Sequence, residues 1–454
     1  MNVVVIVSDT LRRDHLGAYG NPWIHTPHLD RFAAESVVFD SHHVGSFPTM
    51  PARADLVTGR LSCAFMTWAP LPPELPTLAE AFRAAGFLTT AIVDTPFYIR
   101  NGFGYDRGFH DFVWIRGQGD SSRMEERVDA RATWVGESDR YVARTMTAAS
   151  DWLERHVDEE FFLLVDTWDP HEPWNPPDYY TRRYLADYAG EEVTPPYAKW
   201  RDAGLTQRDV DVAHATYAGE VTLVDTWVGR LLEKLELVGL REKTIVVFLS
   251  DHGFYFGEHG YLGKSVWVEE ARTQTWSPLY GELTRIPLIV RVPGTDPGRR
   301  AAITSTPDLA PTLLELAGVE PLDAATGRSF APVIAGVRDE HRPFAISSWP
   351  LAYQRGRISI AVDSAPRRVA QDLPLTVTNG THSLLVGGPD DPVELYELGA
   401  DPGEARNIAP GEPALASELL HAAIEDLRAE GATPDLLAPR EAALACVRAA
   451  AIRA

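Results

Sequence analysis

The chain has 454 residues, of which 45% are hydrophobic and 23% charged, so it can bury a large core and form more than one lobe. Its 42 basic and 64 acidic residues give a formal net charge of -22, which disfavours nucleic acid and anionic membrane as partners. The sequence has no basic leader segment and no apolar run near the roughly 18 residues of a membrane span, and its cysteines, Cys63 and Cys446, lie far apart, so we expect a cytoplasmic protein.

The N-terminal part of the chain alternates short apolar segments with amphipathic ones. The apolar segments predict strands, and the amphipathic ones predict helices that Pro or Gly residues often delimit. In chain order these are a strand at 3–7, helices at 26–35 and 78–85, a strand at 88–93, a helix at 141–156, a strand at 161–165, a helix at 209–238 and a strand at 244–249. This alternation is typical of an α/β fold with a doubly wound, mostly parallel sheet flanked by helices.

The pattern changes near residue 340. Strands are predicted at 344–348, 358–362, 373–377 and 383–386, before the segment 395–398; a helix at 413–430 and an Ala-rich helix at 441–454 follow. We therefore divide the chain into a main domain, residues 1–340, and a smaller C-terminal α+β lobe, residues 341–454.

Three aspartates, Asp9, Asp166 and Asp251, follow apolar strand segments within two residues. In a doubly wound sheet the functional site lies beyond the carboxyl ends of the strands, so we expect these carboxylates to share one edge. His252 and a Gly-rich loop follow Asp251, and carboxylate with imidazole is a donor set for divalent metals. Each aspartate alone would be an ordinary turn or cap residue, but the Asp251-His252 pair predicts a metal site. Asp166 with His171 is a possible fragment of a second metal set that lacks a spaced C-terminal His, so we expect one metal.

A second candidate segment, residues 46–53, places Thr49 just before a helix that we expect to begin near Pro51 and to end at Gly59. Helix N-termini attract anions, and Arg53, about one turn further on, offers a fork of donors to a tetrahedral oxyanion. The alternative is that Thr49 is only a helix N-cap, worth about 1 kcal/mol.

Two cationic candidates lie in loops. His171 follows a predicted strand in a segment that prolines restrict, and Lys264 follows the Gly-rich loop after His252. Lys264 can direct a positive charge at a bound anion. Alone, each residue fits an ordinary surface side chain equally well.

Taken in order, these motifs resemble the sulfatase family of the alkaline phosphatase superfamily. The residues that carry the resemblance are Asp9, the Thr-x-Pro-x-Arg segment at 49–53, the Asp-Pro-His segment at 169–171, and the Asp-His-Gly segment at 251–253 with Lys264 downstream. Segments 26–30, 56–59, 306–313, 395–398 and 401–404 also resemble family landmarks, so the resemblance spans nearly the whole chain.

The resemblance implies a metal-dependent ester hydrolase in which Thr49 is the nucleophile. It implies that one divalent metal ion, Mn²⁺, Ca²⁺ or Zn²⁺, is bound by Asp9, Thr10, Thr49, Asp251 and His252. Thr10 stands where many relatives have a second Asp, and this loss of a carboxylate favours Mn²⁺ or Zn²⁺ over Ca²⁺. The resemblance further assigns Arg53, His171 and Lys264 to the oxygens of the substrate or to its leaving group.

The residue at the nucleophile position departs from the family. Sulfatases carry Cys or Ser there, which is oxidised to formylglycine, whereas this chain has Thr49. A secondary alcohol cannot give the aldehyde, but a threonine alkoxide can attack phosphorus to give a phosphothreonine that water then cleaves. We therefore expect phosphate mono- or diesters as substrates in preference to sulfate esters.

A second departure follows the third predicted strand, where the family has a Lys-x-His segment. This chain reads Val-Asp-Thr-Pro-Phe-Tyr at 93–98, so two groups that contact substrate are missing or are supplied elsewhere. Asp94 and Tyr98 can approach the pocket, but the sequence gives them no role. Aromatic residues within 172–200 and 266–283 fit either a leaving-group pocket or loop packing.

Three alternatives stay open. They are a sulfuric ester hydrolase that works without formylglycine, a phosphoryl-group transferase, and an inactive sulfatase-like binding protein. The expected partner is a small-molecule anionic ester substrate, with neither nucleic acid nor membrane, and the sequence leaves open whether the chain forms a homo-oligomer.

Overall fold

The structure of the protein is a computed structural model that describes residues 1–66, 68–95, 103–115, 134–268, 273–349, 374–387 and 391–453. The strand expected at 358–362 and the side chain of Tyr98 lie outside these residues. Among the helices that the structure describes, none is both long enough and apolar enough to cross a bilayer.

The elements follow the alternation that the sequence predicts. The strands are β1 (Asn2–Ser8), β2 (Val37–His43), β3 (Leu88–Val93), β4 (Asp111–Trp114), β5 (Phe161–Thr167), β6 (Ala198–Lys199), β7 (Thr244–Ser250), β8 (Tyr255–Phe256), β9 (Tyr261–Gly263), β10 (Val266–Val268), β11 (Thr273–Thr275), β12 (Leu288–Arg291), β13 (Gly298–Ser305), β14 (Ala345–Ser348), β15 (Leu375–Thr378), β16 (His382–Val386) and β17 (Glu394–Glu397). The helices are α1 (Pro27–Ala34), α2 (Thr49–Thr58), α3 (Leu78–Ala84), α4 (Tyr141–Arg155), α5 (Asp178–Thr181), α6 (Gln207–Leu237), α7 (Gly281–Thr284), α8 (Leu309–Ala317), α9 (Ala331–Ile334), α10 (Pro413–Ala429) and α11 (Pro434–Arg453).

A central sheet carries the main domain, and its eight described strands have the order β13-β2-β12-β7-β1-β5-β3-β4. Neighbouring strands run parallel, except that β12 is antiparallel to both β7 and β2. The expected α/β class with a mostly parallel, helix-flanked sheet is therefore confirmed.

Both faces of the sheet are buried, as the continuous apolar run of β1 requires. Side chains alternate along a strand, so Val4 and Ile6 pack on the side of α4 and α6, whereas Val3, Val5 and Val7 pack on the side of α3 and α8. This packing fixes the level at which β1 ends and therefore the position of the residues that follow it.

Three expected boundaries are wrong. Asp166 lies inside β5 and does not follow it, because β5 continues to pair with β1 up to Thr167. Helix α2 begins at Thr49 and not near Pro51. The last helix, α11, begins at Pro434, earlier than expected, and accommodates Pro439 in its interior.

The C-terminal elements form the smaller α+β lobe. Strands β14-β15-β16-β17 make an antiparallel sheet, and α10 and α11 bury their apolar side chains with it in one core. A bridge between Ser46 and Ser348 joins this lobe to the segment that leads into α2. The domain boundary at residue 340 stays a prediction.

Candidate active site

The carboxyl ends of β1 and β7 bring Asp9, Asp251 and His252 together. The two strands pair in parallel up to Ser8 and Ser250, so the residues that follow them leave the sheet side by side. One ligand atom from each of the three side chains lies within 4.8 Å of the others. Among the residues that the structure describes, this is the group that could hold a metal ion.

His252 is held as a neutral imidazole with one nitrogen facing the carboxylates. Its Nδ1 lies 2.9 Å from the carbonyl oxygen of Gly253, which can only accept, so Nδ1 carries the proton. Its Nε2 lies 3.6 Å from Oδ2 of Asp251 and 3.9 Å from Oδ1 of Asp9. Burial lowers the pKa of His252 to about 3, so the Nε2 lone pair is available to a metal.

The metal corner, as we call the group of Asp9, Asp251 and His252, fits a divalent cation together with the neighbouring Thr10. Both carboxylate oxygens of Asp9 and the hydroxyl of Thr10 are buried without a hydrogen-bond partner among the described residues. Burial and the neighbouring charge of Asp251 raise the pKa of Asp9 well above its usual value, a penalty that a bound cation would remove. The residues present therefore suit a metal, and the part played by Thr10 stays a prediction.

Hydrogen bonds also fix the backbone of Thr10 beside Asp9 and Asp251. Its φ is +56°, in the left-handed region, and its amide donates to Oδ1 of Asp251 over 3.0 Å. The buried hydroxyl of Tyr217, on α6, donates to the carbonyl oxygen of Thr10 over 2.8 Å. These bonds stabilise an unfavourable conformation that turns Asp9 toward Asp251.

Arg53 joins three carboxylates. Its Nε and Nη2 each donate to Asp166 over 2.8 Å, a bidentate pair, and its Nη1 donates to Asp251 and lies 3.0 Å from Asp9. The fork that the sequence assigns to a substrate oxyanion is therefore engaged by carboxylates in this structure. Its contact with substrate stays a prediction.

The pairing of Asp166 with Arg53 is the feature of the site that the sequence analysis missed. The sequence suggested Asp166 as part of a second metal set, whereas the structure places it opposite Arg53, and Thr95 donates to it over 2.9 Å. The usable signal was a carboxylate within the otherwise apolar run of β5, because a buried charge requires a partner.

Thr49 is the first residue of α2, and the cap position belongs to Pro48. Thr49 is itself helical, so the N-cap alternative for Thr49 is wrong. Its hydroxyl oxygen lies 3.2 Å from Nε2 of His252, and the residue is 2% exposed. The hydroxyl therefore faces the metal corner.

Lys264 and His171 meet beside this corner. Nζ of Lys264 lies 2.6 Å from Nε2 of His171, whose ring stacks on Trp168 with the centroids 3.8 Å apart. Burial and the charge of Lys264 lower the pKa of His171 well below its usual value. Lys264 also lowers the pKa values of Asp9 and His252, so its charge acts at the metal corner.

Gly253 is required by the packing of the loop after β7. A Cβ atom at this position would lie 1.8 Å from the carbonyl oxygen of Glu282, and the amide of Gly253 donates to Leu283 over 3.0 Å. This close approach holds the Asp-His pair against α7.

Known proteins share both the sequence pattern and the fold. A model of the sulfatase family matches residues 1–319. The multifunctional alkaline phosphatase superfamily protein PehA of Trinickia caryophylli is 27% identical over 92% of either chain. The choline-sulfatase of Rhizobium meliloti is 25% identical over 94% of this chain and 86% of its own length. The phosphonate monoester hydrolase of Agrobacterium radiobacter has a crystal structure with a TM-score of 0.73 and 23% identity, covering 94% of this chain and 95% of that one.

The matched region contains every element that supplies Asp9, Thr49, Arg53, Asp251 and His252. The chain therefore belongs to the sulfatase family of the alkaline phosphatase superfamily and is an ester hydrolase.

Proposed function

We propose that the protein hydrolyses phosphate mono- or diesters with Thr49 as its nucleophile. The observation that carries this proposal is the 3.2 Å contact between the Thr49 hydroxyl and Nε2 of His252, inside the buried carboxylate corner. One structural relative is a phosphonate monoester hydrolase, which also acts on a phosphorus ester.

The proposed metal ligands are Asp9, Asp251 and His252, with Thr10 and Thr49 as further ligands. Mn²⁺ and Zn²⁺ suit this mixed carboxylate and imidazole set better than Ca²⁺. When bound, the metal supplies a positive charge that lowers the pKa of a coordinated hydroxyl and attracts the oxygens of the ester.

The protein residues would carry the remaining steps. Thr49, whose hydroxyl would have lost its proton to solvent, attacks phosphorus as the alkoxide, and the bond from phosphorus to the leaving oxygen breaks with its electron pair on that oxygen. Lys264 donates a proton to the departing oxygen, because neutral His171 holds its own proton on Nδ1, which faces Glu172. Water then cleaves the phosphothreonine and restores the alkoxide of Thr49, with one proton of the water going to the amine of Lys264 and the other staying on the phosphate.

Phosphorus is favoured over sulfur by the chemistry of the side chain. A formylglycine hydrate releases a sulfated intermediate by collapse to the aldehyde, a route that the secondary alcohol of Thr49 does not have. A phosphothreonine requires only attack by water at phosphorus. The sulfatase names among the relatives make sulfate esters the comparison that the assay must include.

The test compares the wild-type protein with Thr49→Val, which removes the hydroxyl and keeps the shape of the side chain. The substrates are an aryl phosphate, a diaryl phosphate, an aryl phosphonate monoester and an aryl sulfate, each with Mn²⁺, Zn²⁺ or Ca²⁺. We expect phosphoester turnover in the wild type and a loss of at least about 10³-fold in Thr49→Val.

Thr58→Val is the matched control, because among the described residues the hydroxyl of Thr58, at the other end of α2, bonds only to the carbonyl oxygen of Ala54. This variant should keep wild-type rates. Sulfate turnover that exceeds phosphoester turnover would overturn the substrate preference, and a Thr49→Val protein of wild-type activity would overturn the nucleophile.

A further inference from the structure

A buried carboxylate lies behind His171, on the side away from Lys264. Oε2 of Glu172 is 3.2 Å from Nδ1 of His171, and the two side chains are only 10% and 11% exposed. Among the described residues, this oxygen has no hydrogen-bond partner. The sequence analysis gave Glu172 no role.

The protons along the chain of Glu172, His171 and Lys264 can be placed from the hydrogen bonds. Nδ1 of His171 lies 2.7 Å from the backbone carbonyl oxygen of Glu172, which can only accept, so Nδ1 is protonated. Nε2 therefore carries a lone pair, and it accepts from the ammonium of Lys264 over 2.6 Å. All three groups are thus arranged in one direction, from carboxylate through imidazole to ammonium.

The position of the carboxylate matters for Lys264. A negative charge beside Nδ1–H increases electron density on the imidazole and makes Nε2 a stronger acceptor. The stacking of the His171 ring on Trp168 fixes the direction of that lone pair. The described residues offer Nζ of Lys264 no other hydrogen-bond acceptor, so this bond determines where its remaining hydrogens point.

We propose that Glu172 is a positioning residue that acts through His171 to orient Lys264 as the proton donor to the leaving oxygen. This inference rests on the proposed function, because it concerns the leaving-group step of the same reaction. Burial raises the pKa of Glu172, which is the cost of keeping a carboxylate at this depth without a hydrogen bond.

In the step itself, one N–H bond of Lys264 breaks and its proton joins the leaving oxygen as that oxygen separates from phosphorus. Lys264 becomes a neutral amine that still donates to Nε2 of His171. The water that cleaves the phosphothreonine returns one proton to the amine, so the protein ends the cycle in its initial state.

The test uses a series of aryl and alkyl phosphoesters whose leaving alcohols differ in acidity. An acidic leaving group departs as an anion without help, whereas a weakly acidic one requires the proton from Lys264. Glu172→Gln keeps the size of the side chain and removes its charge. We expect kcat to fall at least 10-fold for the least acidic leaving groups and to stay within 2-fold for the most acidic, with KM little changed.

Glu282→Gln is the matched control. Oε2 of Glu282 lies 3.4 Å from Nε2 of His259, also without a hydrogen bond, and His259 stacks on Tyr280 with the centroids 3.6 Å apart. This second Glu-His pair does not contact Lys264. Its variant should keep the wild-type dependence of kcat on the leaving group.

Equal losses for all leaving groups in Glu172→Gln, or no loss for any, would overturn the positioning role while leaving Thr49 as the nucleophile. If the wild-type protein turned over no ester of the series, the proposed function would fail and this inference with it. Should Glu172→Gln fold poorly, Glu172→Asp keeps the charge and should show a smaller change in slope.

Discussion

At the scale of single residues, Arg53 is the side chain with the largest number of buried charged partners at the corner. Its bidentate bonds to Asp166 and its contacts with Asp9 and Asp251 neutralise carboxylates that would otherwise repel one another. The guanidinium geometry is essential here, because a lysine ammonium cannot reach all three carboxylates from one position.

We expect Arg53→Lys to lower the free energy of unfolding by about 3 kcal/mol, since it leaves Asp166 buried without a bidentate partner. Denaturant unfolding of the two proteins measures this change. Arg208→Lys is the control, because Arg208 makes a similar fork to Asp187 and Glu191 on the surface and should matter much less. A loss no larger than that of the control would contradict a structural role for the Arg53 fork.

The positions of these residues along the chain could be predicted, but their pairing could not. Apolar periodicity fixed the ends of β1 and β7, which is why Asp9 and Asp251 were correctly expected at one edge. Arg53 and Asp166 lie 113 residues apart, and nothing in either local segment indicates the other. The direction of the Thr49 hydroxyl could not be predicted either. A helix that starts near Pro51 would make Thr49 a cap residue, whereas the observed start, two residues earlier, makes Thr49 the first helical residue.

At the scale of elements, β2 contains a buried histidine that makes the stability of the sheet depend on pH. Nδ1 of His42 lies 2.9 Å from the hydroxyl of Thr304 on β13, and its Nε2 has no partner among the described residues. Burial lowers the pKa of His42 to about 3, whereas an unfolded histidine titrates near 6.5. Between these values the unfolded chain binds a proton that the folded chain does not.

Stability from His42 is therefore complete above about pH 6.5 and is lost as the pH falls toward 3. At pH 5 we expect the wild type to have lost about 2 kcal/mol through this residue. In His42→Gln that part of the pH dependence should be absent, as denaturant unfolding at pH 5 and pH 7.5 would measure. A substitution at the exposed His421 measures the effect of losing a histidine that is not buried. If stability changed with pH in the same way in wild type and His42→Gln, His42 would not be the source of this pH dependence.

The central sheet contains strands that the pattern of apolar and amphipathic segments does not predict. The helix and strand alternation predicted four of the parallel strands, β1, β3, β5 and β7, because such alternation is produced by crossover connections. Strands β2, β4, β12 and β13 were not predicted, and β12 is too short and too close to α7 for its antiparallel direction to be recognised from composition.

At the scale of the whole molecule, the C-terminal lobe supports the active site from behind. Trp349, which follows β14, packs on Phe47 with the ring centroids 4.7 Å apart, and Phe47 lies 4.9 Å from the ring of His252. Trp349 also donates to the carbonyl oxygen of Ser277, whose hydroxyl donates to the backbone of Lys264. One residue of the smaller lobe thus packs behind both the metal corner and the backbone of Lys264.

The family and its ester hydrolase chemistry are established at this scale, since the motifs are distributed over most of the chain and the family model covers residues 1–319. The identity of the attacking atom is a question about one side chain, Thr49. Thr49 begins α2, and its hydroxyl contacts His252, which follows β7. His252 forms one group with the carboxylates of Asp9, after β1, and Asp251, after β7.

The measurement that tests this claim most directly is acid-quench mass spectrometry of the protein during turnover of an aryl phosphate with its activating metal. We predict that the peptide containing Thr49 gains the mass of one phosphoryl group, and that Thr49→Val shows neither this gain nor turnover. A phosphoryl group on another residue, or continued hydrolysis by Thr49→Val, would contradict Thr49 as the nucleophile.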